Sequence, residues 1–432
     1  MSDTRSIPKE ADVVVIGAGI HGTATAYYLT HRNMNVVVCE KGRIAGEQSS
    51  RNWGFVRQQG RDPAEIPLMM EANGIWRGLE RELNADLEWT VGGNMVVFRT
   101  GEERAMFERW MEHAKGAGLD SRIIDRSEVE RIVPGTTLGE LGAIYTASDG
   151  HAEPAKATPA LARAAEGRGA TFLENCAVFR VLTEGGHVSG VMTEHGEIRA
   201  PVVVLATGAW SSKMLSHLGL KFPQVWIKGS VGRTEPVAPI SESAVWGGVA
   251  FRQRQDGSIN FAVRSSDADL MMQTVLHGRH FFGVGKQHMR DFRIRFRRIL
   301  FDTAMGHFSE RALARELTRY RTLDPEPNHA VLAAALTDLK RAIPAVGEAA
   351  TAKSWAGYID MTPDLLPVIE AQENPRGLIL ATGFSGHGFG MGPIVGKLVA
   401  QIIAVGQPSL DLSAFRFSRF HDGTDLTAGT AV

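Results

Sequence analysis

The sequence predicts an α/β chain built as two lobes, and three observations carry that prediction. At 432 residues the chain is too long for one small core, and its 44% apolar and 22% charged residues are ordinary for a globular protein. Four short apolar runs, at positions 12–17 (DVVVIG), 35–39, 201–206 (PVVVLA) and 377–381, the first three rich in β-branched residues, have the continuous apolar character of buried parallel strands. The first run feeds a glycine turn and then a stretch of helical period, which is the opening of a Rossmann-like β-α-β unit.

In that unit Gly17, Gly19 and Gly22 stand at G-x-G-x-x-G spacing, and Ile20, Ala24 and Tyr27 or Tyr28 then repeat at helical intervals. One glycine permits the tight turn, the next lets the backbone approach a pyrophosphate, and the third allows close packing of helix on strand. The helix start at Ile20 offers free N–H donors and the positive end of a dipole to phosphate. Glu40 closes the second strand where an acceptor for a ribose hydroxyl is expected, so the unit reads as a site for an adenine dinucleotide. A glycine turn used only for packing would not require an acid there.

The residues beyond this unit decide which dinucleotide. Lys41 to Arg57 (KGRIAGEQSSRNWGFVR) is polar and glycine-bearing, and Ser49, Ser50, Arg51 and Asn52 together suit hydrogen bonding to a second phosphate and a flavin edge. A strand around Val178 is placed to line the adenine side, and the run 201–206 ends at Thr207 and Gly208, at the sheet edge where α/β ligands bind. The run 377–381 leads into Gly383, Phe384, Gly386, His387, Gly388 and Gly390, after which a helix is expected from near Pro393. A glycine-dense turn opening a helix can lay N–H groups along the pyrimidine edge of an isoalloxazine, where negative charge develops on reduction. FAD is therefore expected rather than a nicotinamide cofactor.

Other features narrow the class. A formal net charge of −1 offers no general attraction for nucleic acid, and none is expected as a partner. Two cysteines, Cys39 and Cys176, sit in apolar strand-like runs, so a reducing, cytoplasmic setting is expected. The start of the chain lacks a signal-like apolar run, and no window reads as a membrane-spanning helix. No metal-ligand spacing stands out among 14 histidines. The segment 287–301 (QHMRDFRIRFRRILF) reads as a basic amphipathic helix, packed on its own lobe, lying on the inner face of an anionic membrane, or docking a protein partner.

The chain resembles the D-amino-acid oxidase superfamily, in its glycine and sarcosine oxidase branch. The segments VVVIGAGIHGTATAYYL, SSRNWGFVR, DGHAEPAKATPALARAA, VVVLATGAW, MTPDLLPVI and LILATGFSGHGFGMGP carry the likeness in order along nearly the whole chain. The resemblance implies a discontinuous FAD-binding domain (1–95, 150–225 and 345–432) interleaved with an antiparallel-sheet substrate domain (96–149 and 226–344). It implies hydride transfer from the carbon beside an amine nitrogen, then hydrolysis of the imine. Arg57 falls where sarcosine oxidases keep an arginine for the substrate carboxylate, a role suited to a bidentate guanidinium. Arg264, in FRQRQDGSINFAVR, is a second candidate for substrate contact.

Two departures shape the expectation. Gly357 stands where the resemblance implies a flavin-linked cysteine, so FAD is expected to be noncovalent. Gly390 and Met391 stand where it implies a carboxylate-binding lysine. The cation that promotes flavin reoxidation is left among Arg264, Lys228 and Lys286, so oxygen and quinone both remain open as acceptor. Lys353 and Trp355 are further candidates for the border of the site. The expected substrate is a secondary amino acid or N-carboxymethyl amine such as sarcosine or iminodiacetate, with iminodiacetate oxidase the member to test first. Proline-like, opine and 2-hydroxy-acid substrates, and an electron-transfer subunit, are the alternatives.

Overall fold

A computed structural model describes residues 7–263, 266–269, 271–281, 292–295, 301–427 and 429. Strand β1 (Val13–Ile16), helix α1 (Ile20–Thr30) and strand β2 (Val36–Cys39) form the expected β-α-β unit. The six-stranded sheet around it runs Val368–Ala371, Leu378–Thr382, Val202–Leu205, β1, β2, Thr171–Leu173, with Val368–Ala371 antiparallel and the other pairs parallel.

The unbroken apolar runs follow from burial on both faces. Val13 and Val15 join a core with α1, Ile66–Leu83, Pro154–Gly167 and Gly388–Val405, whereas Val14 and Ile16 join a second core. That second core includes Val181, Val191 and Ile198 of a three-stranded sheet, Val178–Glu184, His187–Thr193 and Gly196–Arg199. Period-two alternation thus feeds two separate cores from one strand.

The helix expected near Pro393 begins at Gly388 and ends at Val405. Its early start reflects packing on α1. A Cβ at Gly388, Gly392 or Gly396 would lie 2.7 Å from His21 Cε1, 2.3 Å from Ile20 Cγ1 and 2.5 Å from the Ala24 carbonyl carbon. Glycines four apart share one helix face, and here they let the helix close on the His21 and Ile20 side chains and on the backbone at Ala24. This helix also has the length and apolarity of a membrane span, contrary to the sequence expectation, yet most of it is buried within the fold.

The second lobe is a large, mostly antiparallel sheet. Its order is Phe292–Arg295, Ser266–Asp269, Val225–Thr234, Ile259–Val263, Val249–Gln253, Ala244–Gly247, Asn94–Val97, Ala143–Thr146, Ser121–Ile124. Thr351–Met361 pairs with Val225–Thr234 from Met361 opposite Val225 to Thr351 opposite Thr234. Phe292–Arg295 corrects the amphipathic-helix expectation, because it is a strand parallel to Ser266–Asp269. The sequence there, FRIR, alternates apolar and basic with a period of two, and the helical reading drew its support from neighbours that lie outside the described residues.

Candidate active site

A cavity of about 380 Å³ opens where β1, β2, Val202–Leu205 and Leu378–Thr382 end and the large sheet presents Gly229–Val231 and Gly357–Asp360. At one end, Gly17 has φ +102° and a Cβ there would meet Ala206 O at 2.5 Å, so only glycine fits. The Gly22 Cβ position lies 1.9 Å from Gly17 O, which brings the first turn of α1 against the loop before it. Glu40 accepts hydrogen bonds from Ala18 N (2.9 Å) and Gly42 N (2.8 Å), and Ser49 Oγ accepts one from Ile20 N (2.8 Å). Burial raises the Glu40 carboxyl above its ordinary range.

The loop after β2 is tied to both lobes. Lys41 Nζ donates to Tyr320 O (2.7 Å) and Arg321 O (3.0 Å) and pairs with Glu47. Arg51 donates to Ala356 O (2.9 Å) and Gly46 O (3.2 Å), while Asn52 Oδ1 accepts from Gly54 N (2.8 Å). Gln48 bridges the cavity edge: its Oε1 accepts from Ala209 N (3.0 Å) and its Nε2 donates to Asp360 Oδ1 (2.8 Å). Asp360 Oδ2 also accepts from Gly383 N (3.0 Å), and burial pushes this carboxyl up to about 6.

At the other end stand charged groups among aromatics. Arg57 and Arg61 are buried and border the cavity, and Arg57 Nη1 donates to Gln59 O (2.9 Å). Burial, and then the Arg61 charge, bring Arg57 down to about 9, so it stays cationic at neutral pH. Asp149 accepts from Gln58 N (2.7 Å) and Gln59 N (3.2 Å), and burial raises it to about 6. His387 Nδ1 lies 3.2 Å from Glu65 Oε1. Burial, and then Arg61, bring His387 down to about 4, which leaves the ring neutral and the pair a hydrogen bond. Burial pushes Glu65 up, but His387, Arg61 and Arg57 outweigh it and hold the carboxyl below its ordinary range. Trp53, Phe55, Trp246, Val231 and Val263 supply an apolar wall, and the Trp53 and Trp246 rings lie 4.7 Å apart.

The family described as FAD dependent oxidoreductase (DAO) matches residues 12–402. The chain belongs to this family. It is 27% identical to mitochondrial sarcosine dehydrogenase of Homo sapiens over 426 residues, covering 97% of the chain and 42% of that protein, so it spans less than half the length of that relative. The structure of L-amino acid deaminase from Proteus myxofaciens in complex with anthranilate superposes with a TM-score of 0.90, at 28% identity, over 96% of this chain and 95% of that one. Iminodiacetate oxidase from Chelativorans sp. BNC1 shares the fold, with a TM-score of 0.70, 18% identity, and 94% and 98% coverage.

For FAD, the residues present fit. The cavity runs from the Gly17–Gly19 turn past Glu40 to Phe384, Gly386, His387 and Gly388, and Ile20, Lys41, Ser49, Arg51, Asn52, Val178, Thr207, Gly208 and Gly357 also border it. Gly22, Ser50, Gly383 and Gly390 do not border it. Ser50 Oγ donates to Glu47 O (3.3 Å), the Gly383 Cβ position faces Thr362 and Phe222, and Gly390 packs on Met69 while its carbonyl accepts from Trp76 Nε1 (2.8 Å). Their effect on the cofactor site is through packing.

Of the candidate cations, Lys228 is buried away from the cavity, with Nζ 3.2 Å from Asp267 Oδ2 and 2.8 Å from Glu326 O. Arg264 and Lys286 lie outside the described residues. Lys353 is exposed, and Trp355 Nε1 donates to Arg51 O (2.9 Å) without bordering the cavity. Sequence reasoning missed His21, Gln48, Arg61, Glu65 and Asp360. His21 lines the cavity, stacks on Phe384 at 3.6 Å and 8°, and is brought down to about 3 by desolvation. Arg57, Arg61 and Glu65 lie in the loop before the helix Ile66–Leu83, where no helical period marks them out. Among the described residues no cluster of His, Cys, Asp or Glu suits a metal ion.

Proposed function

We propose that this chain oxidises a carboxylated amine, taking hydride from the carbon beside nitrogen, and that the FAD is held noncovalently. The observation that carries the reading is the buried Arg57 guanidinium, cationic and bordering the same cavity as the glycine turns. FAD supplies the hydride acceptor when bound, so the protein's task is to orient the substrate and keep water away. Arg57 binds the carboxylate through its planar fork. Neutral His387, hydrogen-bonded to Glu65, adds no positive charge beside an amine that must give up its proton before oxidation. The product imine is then hydrolysed to a carbonyl compound and the remaining amine or ammonia.

Noncovalent binding is supported by position 357, where glycine offers no atom to bond the flavin and a Cβ would crowd Arg51 at 3.0 Å from its Cβ and 3.1 Å from its Cδ. The aromatic wall favours a substrate with an apolar substituent, since a second carboxylate placed against Trp53, Phe55 and Trp246 would lose hydration without a partner. Amino-acid substrates are named for the relatives that share most of this fold, which agrees with the reading.

The test is anaerobic titration of the purified flavoprotein with phenylalanine, sarcosine, proline, iminodiacetate and glycerol 3-phosphate, following the flavin band. Bleaching by an amino acid supports the proposal. Bleaching by glycerol 3-phosphate alone contradicts it, and iminodiacetate as the best substrate contradicts the apolar-wall argument. Release of all yellow chromophore on denaturation is the outcome expected for noncovalent FAD.

A further inference from the structure

Arg57 is accompanied by a second guanidinium whose bonding is incomplete. Arg61 is buried and borders the cavity. Its Nε donates to Arg57 O (3.2 Å), but Nη1 is buried and meets no hydrogen-bond partner among the described residues. Of the nearby carboxylates, Asp149 accepts from the Gln58 and Gln59 backbone, and Glu65 faces His387 through Oε1 while its Oε2 is also buried without a hydrogen-bond partner among the described residues. A buried cationic donor left without an acceptor is costly, and such groups in native proteins call for an explanation.

The two arginines are neighbours. They are separated by only three residues, and the Gly60 Cβ position lies 3.2 Å from Arg57 Nη1. Where the family resemblance implies a carboxylate-binding lysine, Met391 is buried in the helix Gly388–Val405 and Gly390 packs on Met69. No cation comes from that side.

We propose that Arg61 is a second anchor for the substrate carboxylate, its Nη1 donating to an oxygen lone pair that the Arg57 fork does not use. This rests on the reading of the substrate as a carboxylated amine. Two forks from one short segment fix the carboxylate in position and direction, which in turn fixes the carbon to be oxidised. A lysine would replace Arg61 only in part, because an ammonium keeps the charge but lacks the second, coplanar donor.

The experiment uses the FAD-loaded protein with benzoate and benzamide as probes of equal shape, one charged and one neutral, and reads the dissociation constant from perturbation of the flavin band. Arg61→Met is expected to weaken benzoate by about 10- to 100-fold, the range for one hydrogen bond to a charged group, and to leave benzamide unchanged. Arg61→Lys, which keeps the charge and serves if the methionine variant does not fold, is expected to recover part of the loss. Equal losses for both probes, no loss for either, or a wild-type protein without preference for benzoate would each overturn the anchor. Its failure is distinguishable from that of the functional reading. Benzoate held through Arg61 with no amine able to bleach the flavin would sink amine oxidation alone, and amine-driven bleaching with unchanged benzoate affinity in Arg61→Met would sink the anchor alone.

Discussion

Gly22→Ala separates local propensity from tertiary packing, because the two act with opposite sign. Gly22 lies inside α1, and alanine in a helix interior is favoured over glycine by about 1 kcal/mol. Against this, the new Cβ would sit 1.9 Å from Gly17 O and 3.2 Å from Val15 Cγ1. The first obstacle is backbone, so it cannot turn aside, and reaching an ordinary carbon–oxygen contact of about 3.3 Å means moving α1 or the glycine turn by more than an ångström. Overpacking of this kind costs about 1–3 kcal/mol or more, so net destabilisation is expected. Gly74, exposed in Ile66–Leu83 with nothing within 4 Å of its Cβ position, is the control, and Gly74→Ala should stabilise by about 1 kcal/mol. Urea midpoints and bound flavin per chain are the assays. A lower midpoint with reduced flavin content is expected for Gly22→Ala alone. A raised midpoint with full flavin would refute the close approach of helix and turn.

Three further outcomes follow from the same geometry. His21, brought from 6.5 to about 3 by burial, binds fewer protons folded than unfolded between those values, so it lends stability above that window that is lost as pH falls through it. His21→Phe, which keeps a ring on Phe384, should flatten the pH dependence of stability between pH 6 and 4 by about 1.4 kcal/mol per pH unit, and an unchanged slope would contradict a desolvated neutral histidine. Lys213 and Glu316 form a buried pair at 2.8 Å, so Lys213→Met should cost about 3–5 kcal/mol in a denaturation series and Lys213→Met with Glu316→Gln markedly less. Arg57→Met should lower kcat/KM for an amino acid by about 10- to 100-fold while sparing the decarboxylated amine, read by steady-state kinetics on both.

Much of the fold was legible because local patterns and tertiary demands agree. DVVVIG is a strand by composition and by double burial, and Gly17 is required both by its φ of +102° and by Ala206 O. The second half of the site was less legible because its contacts span the chain. Gln48 and Asp360 are 312 residues apart in sequence, and no local period announces their hydrogen bond. Nothing in the sequence around His21 announces its ring stack on Phe384. Arg61 and Glu65 belong to a loop, so no periodicity marks them, and their role depends on the cavity and on His387 far along the chain. Phe292–Arg295 shows the converse, where a helical reading of a long basic segment overrode a short alternation that the sheet uses.

The central claim is that one cavity seats FAD and a carboxylated amine so that hydride passes between them. The most direct measurement is a single anaerobic turnover, in which the FAD-loaded protein is mixed with phenylalanine and the flavin absorbance and carbonyl product are quantified together. The account predicts one carbonyl product and one ammonia for each flavin reduced, with both lost in parallel in Arg57→Met. Flavin that stays oxidised with every amine tried, or that is reduced without an equivalent of carbonyl product, would contradict it.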